Sequence, residues 1–127
     1  MKLYKIASIA LIILGFIHLT AHVVGSFFLD EQAINVMSQM ENYKIKLFGE
    51  HSFLKFHTGF SLMMGLLISA FGVQNLLMAK SLNKHYLIST IIITALALAI
   101  SILYLHFIPI LFITISLYAV IILFVIF

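Results

Sequence analysis

Residues 104–111 read YLHFIPIL, and they hold the chain's only proline, Pro109, inside a run with no Asp, Glu, Lys or Arg from 86 to 127. Read as one helix, that run would be about 42 residues long. A hydrocarbon core of ~30 Å needs only about 20 helical residues. Proline is tolerated in the first turn of a helix, where its missing N–H would have had no partner. Pro109 therefore marks the start of a new helix after a tight turn, and the run divides into spans at 86–107 and 108–127.

Two further apolar runs of spanning length precede these, at 4–28 and 53–78. The expected fold is all-α: an integral membrane, up-down-up-down bundle of four transmembrane helices forming a single membrane domain, 1–127. Short links are expected at 80–84 and 106–109, with a longer first loop.

Composition supports the same class. Of the 127 residues, 64% are hydrophobic and 9% charged, against about 45–50% and 25% in a soluble domain. The chain has no cysteine, which removes disulfide frameworks and thiolate metal sites from consideration. Its formal charge of +3 comes from seven lysines and four acids. In so apolar a chain that balance speaks to topology, and no nucleic-acid partner is expected.

Lys2 and Lys5 before an apolar run resemble the start of a signal peptide. However, the run outlasts the 7–15 residues typical of such a segment, and no A-x-A site closes it. It reads as a retained first helix. Four crossings put both termini on one side, with Lys2, Lys5, Lys80 and Lys84. The opposite side carries Lys44, Lys46 and Lys55 together with Asp30, Glu31, Glu41 and Glu50. Counting lysines places both termini in the cytoplasm, with the chain multi-pass in a bacterial inner membrane.

The loop between the first two spans begins DEQAINVMSQM. Asp30 is a good helix cap, and Ala33, Ile34, Met37 and Met40 fall at helical spacing. A short amphipathic helix on the outer face is expected there.

The histidines carry the chemistry. At 1.5 Å per residue, His22 lies roughly 9 Å and His18 roughly 15 Å below the outer end of the first span, and His57 roughly 6 Å below that surface. His51 and Glu50 stand at the mouth of the second span and His106 at the rim of the third, so five of six histidines gather in the outer half. Gly15, His18, His22 and Gly25 recur at 3, 4 and 3 along one stripe, which reads as a packing seam with the histidines facing protein. His57, Ser61 and Gly65 form a matching face on the second span. Polar groups at this depth face the bundle interior, where they pair or line a cavity.

Two chemistries suit them. Imidazoles at i and i+4 could share a transition metal, with ligands drawn from His18, His22, His57, His106 and Glu50. A b-type haem needs histidines on different helices, and His22 with His57 is the better-matched pair. The bland reading is hydrogen bonding between helices, to Thr20, Ser61, Ser101 or a carbonyl. Met63 and Met64 point about 100° apart and read as packing. Gln74 and Asn75 read as hydrogen-bonding groups.

The stretches AHVVGSFF and FGEHSFLKFHTGFSLMMGLL resemble an uncharacterised family of small bacterial four-helix membrane proteins. That family has a Gly-His-x-x-Gly-like end to helix one and a Phe-x-Gly-x-x-x-Ser start to helix two. The corresponding positions here are His22, Gly25, Phe48, Gly49, Ser52, Phe56, Gly59 and Phe60, within the first 75 residues or so. The family often has an arginine before that serine and an aspartate after it, where this chain has His51 and Lys55. The resemblance implies the four-helix fold and singles out His22, but no activity.

Three expectations remain open. The first is a protein binding a transition metal or haem b at the outer histidines. The second is a non-catalytic accessory subunit, packing its spans against other membrane subunits or its own copies in the lipid bilayer. The third is a small membrane enzyme acting on a lipid or quinone, which requires an elongated apolar pocket between helices that reaches the histidines.

Overall fold

The computed structural model describes residues 2–46, 49–81, 83–104 and 107–126. In chain order its elements are α1 (Lys2–Gly25), α2 (Glu31–Asn42), β1 (Lys44–Lys46), β2 (Glu50–Ser52), α3 (Phe53–Met78), α4 (Lys84–Tyr104) and α5 (Phe107–Ile126). The helices α1, α3, α4 and α5 are each long and apolar enough to cross a membrane. Pro109 is the third residue of α5, where its ring and missing N–H disturb no helical hydrogen bond. Large side chains such as Phe16, Leu66, Leu96 and Val125 are exposed along these helices, an apolar surface suited to lipid and costly in water.

The packing of α1 on α3 is set by small residues. A Cβ added at Gly15 would sit 2.7 Å from both the Gly65 carbonyl oxygen and the Ser69 nitrogen. One added at Gly72 would sit 2.8 Å from the Ser8 carbonyl oxygen and 2.9 Å from the Ile12 nitrogen. Backbone cannot give way as a side chain can, so these two glycines fix how closely the helices approach. The contacts Tyr4–Asn75, Ser8–Gly72, Gly15–Gly65 and His18–Ser61 ascend in α1 as they descend in α3. The pair is therefore antiparallel.

Two clusters mark successive levels of the bundle. Near the start of α1, Tyr4 and Ala7 pack with Ala79, Leu87, Ala119, Val120 and Leu123. About two turns along, Leu11, Leu14 and Ile113 gather Ile68, Phe71 and Ala97. Helix α1 lies along α3 and α5, and α5 lies along α1 and α4, whereas α3 and α4 share no comparable contact. The four helices thus make a curved row, open between α3 and α4.

The loop after α1 holds α2, capped as its sequence indicates: the Asp30 carboxylate accepts from the Ala33 N–H at 2.7 Å. Its residues Ala33, Met37 and Met40 are half-buried, while Ile34 is exposed. The antiparallel hairpin β1–β2 follows, with Ile45 opposite His51. This hairpin was not expected. Three residues a side is too short for an alternation signal, and its one turn marker is Gly49, at φ 124°. Ser52 closes the hairpin and caps α3, accepting from the Lys55 N–H at 3.2 Å and donating to the Glu41 carboxylate at 2.7 Å.

Candidate functional site: an apolar cleft between four helices

The opening between α3 and α4 leads to a cavity of about 420 Å3. All four long helices line it, among them Leu14 and His18 from α1, Leu67 and Phe71 from α3, Ala97 from α4 and Ile113 from α5. Its lining is overwhelmingly apolar, and its polar side chains are His18, Thr94 and Ser101. Thr94 sits one turn from Thr90 and Ser101 one turn beyond Ala97, so all three hydroxyls lie on the α4 face turned to the bundle. The levels fixed by the core clusters put His18, Ser101 and Pro109 towards the end facing the hairpin, with Leu11, Phe71 and Ile93 deeper.

His18 is held by α3. Its Nε2 lies 3.1 Å from the Ser61 carbonyl oxygen and 3.1 Å from the Ser61 hydroxyl. Ser61 presents both groups because Gly65, one turn on, has no side chain; a Cβ there would meet Leu19 Cγ at 2.7 Å and His18 Cδ2 at 3.1 Å. The hydroxyls of α4 are also committed. Thr94 donates to the Thr90 carbonyl at 2.6 Å and Ser101 to the Ala97 carbonyl at 2.8 Å.

The other expected ligands are dispersed. His22 is half-buried one turn beyond His18 and makes no hydrogen bond among the described residues, while His57 is exposed on α3. Glu50 lies in the hairpin, 4.0 Å from Lys46 in an exposed pair. His106 lies outside the described residues. Among the described residues, no three His, Cys, Asp or Glu side chains gather as ligands for one metal ion. The glycine–histidine stripe is a seam only in part. Gly15 and His18 meet α3, but nothing lies within 4 Å of a Cβ added at Gly25. On α3 the seam carries Ser61 and Gly65, and His57, one turn before Ser61, is exposed.

A second, shallower hollow of about 430 Å3 lies on the outward side of α3, lined by His51, Lys55, Phe56, Gly59, Phe60 and Met63. Met63 belongs to this hollow and Met64 to the interhelical cleft, as their angular separation on a helix requires.

Sequence reasoning missed two polar features. Tyr4 is fully buried, and its hydroxyl donates to the Asn75 side-chain oxygen at 2.9 Å. Thr90, Thr94 and Ser101 recur at spacings of 4 and 7 on α4, a helical stripe that could have been read as an interior face.

Comparison of the chain with family models, curated proteins and solved structures gives no match.

Proposed function

We propose that the chain binds a long-chain amphiphile, a lipid or a lipid-like molecule such as a quinone, inside the membrane. The tail would lie in the cleft between α3 and α4 and the polar head at His18. The observation that carries this reading is the cavity itself. It is of ligand size, apolar, built by all four long helices and opened between α3 and α4, with one imidazole in its lining. A bilayer ligand would enter sideways between α3 and α4 without crossing water. Each buried methylene contributes about 0.8 kcal/mol relative to water, but little relative to lipid. Selectivity therefore has to come from the polar end.

The setting proposed for this activity is an up-down-up-down bundle in a bacterial inner membrane, both termini cytoplasmic, with α2 resting on the outer face. Lysine placement supports the orientation: Lys2, Lys5, Lys80 and Lys84 share one side. A transition metal or haem at the histidines has less support, because the expected ligands do not converge among the described residues. An accessory-subunit role rests on exposed apolar helix faces, which lipid covers equally well.

The test is lipid extraction from the purified protein and from an Ala97→Phe variant, whose ring would occupy the cleft. Mass spectrometry of the extracts should find one amphiphile in near-stoichiometric amount with the native chain, and several-fold less with a variant of unchanged helicity and size. Equal extracts from both proteins would overturn the reading.

A further inference from the structure

The polar side chains of the cleft share a property that narrows its ligand. A neutral imidazole has one N–H and one bare nitrogen. His18 Nε2 lies 3.1 Å from both the Ser61 carbonyl oxygen and the Ser61 hydroxyl. A bare Nε2 would set its lone pair against that of the carbonyl, which only accepts, so we place the proton on Nε2, shared between the two oxygens. Nδ1 is then the acceptor, and it has no hydrogen-bond partner among the described residues. Thr94 has spent its proton on the Thr90 carbonyl and Ser101 on the Ala97 carbonyl. Each hydroxyl oxygen keeps lone pairs. None of the three polar side chains lining the cavity thus has a donor left to offer, and the acceptor without a partner is His18 Nδ1.

We infer that the cleft selects amphiphiles whose uncharged head brings its own donor: lipids headed by a hydroxyl group. This inference rests on reading the cleft as an amphiphile site. A ketone, an oxidised quinone, an ether or a carboxylate would meet lone pair with lone pair and leave His18 Nδ1 unsatisfied. An alcohol of the same chain length donates to Nδ1 at the end of the cleft facing the hairpin and lays its tail past Thr94 towards Leu11 and Phe71. Sites whose buried polar groups are matched by the ligand discriminate against analogues lacking the group far better than apolar walls discriminate by size.

The experiment exposes the full-length protein in detergent micelles to equimolar hexadecanol and hexadecyl methyl ether, and counts the adducts by native mass spectrometry. The two probes differ in the donor and by one methyl group. One matched hydrogen bond predicts about a tenfold excess of alcohol adduct on the unmodified chain. A His18→Phe variant should bind both probes within about twofold of each other, since the apolar walls remain. Equal binding of alcohol and ether to the unmodified chain, or preference for the ether, overturns the donor requirement and leaves the cleft reading standing. No adduct of either probe overturns both. The comparison on the unmodified chain needs no variant, so a misfolded His18→Phe protein would not rescue the inference.

Discussion

Tyr4 and Asn75 stand 71 positions apart in the chain and meet in a 2.9 Å hydrogen bond from the phenol to the side-chain oxygen. The same phenol lies 3.2 Å from the Thr90 hydroxyl, so one side chain of α1 reaches both α3 and α4. The row of helices is closed at this end and open at the other. That difference turns the gap between α3 and α4 into a tapering cleft.

Tyr4→Phe keeps the ring and removes the clasp. Asn75, buried, then loses its donor. Interhelical hydrogen bonds in membranes average about 0.6 kcal/mol and reach about 1.7, and the buried setting puts this one towards the upper end. Thermal unfolding in detergent should show a lower midpoint for Tyr4→Phe. A double-mutant cycle with Asn75→Ala should return a coupling of about 1 kcal/mol. Additive single effects would mean that the phenol and the amide do not act together.

The glycines of α3 offer a paired prediction. Gly72→Ala drives a methyl group towards the Ser8 carbonyl oxygen, 2.8 Å from the ideal Cβ, whereas nothing lies within 4 Å at Gly59. Gly72→Ala should separate α1 from α3 and cost about 1–3 kcal/mol, the usual range for overpacking. Gly59→Ala should be neutral or gain up to about 1 kcal/mol, because alanine is the better helix former. Unfolding midpoints moving in the same direction for both variants would contradict the close approach at Gly72.

The four long helices were legible in the sequence because a spanning run is long, apolar and nearly uninterrupted, and Pro109 divides the last one in two. The second span, 53–78, coincides with α3, and Asp30 caps α2 as expected. The site was less legible. Histidine is conspicuous in an oily run, so all five outer histidines read as candidates, yet among the described residues only His18 reaches the cleft. Depth can be counted from sequence, but the direction a side chain faces depends on which neighbour packs against it. His57 sits one turn from Ser61 and is nonetheless exposed. Serine and threonine are common in apolar helices, so the stripe of Thr90, Thr94 and Ser101 gave a weak signal, although it lines the site. The hairpin rests on two three-residue strands, which carry no periodicity to read.

Ser52 joins the loop to the bundle, and its loss should be felt on both sides. Its hydroxyl accepts from the Lys55 N–H and donates to Glu41, near the end of α2. Ser52→Ala removes an N-cap, worth about 1 kcal/mol, and frees α2 from α3. Hydrogen exchange should quicken in residues 31–46 and in the first turn of α3, with residues 65–78 unchanged. Uniform acceleration along α3, or none anywhere, would show that Ser52 is not the joint.

Ser116 gives a prediction of opposite sign. It is fully buried in α5, and its hydroxyl is the one buried side-chain polar atom without a hydrogen-bond partner among the described residues. Its neighbours on the same face, Ile113, Ala119 and Val120, are apolar and buried. A buried donor without a partner costs about 1–3 kcal/mol, so Ser116→Ala should raise the unfolding midpoint even though it removes atoms from the core. The void left by one oxygen works against that gain, but it is smaller than a methyl group, whose loss costs ~1 kcal/mol. A lower midpoint for Ser116→Ala would mean that the hydroxyl does find a partner.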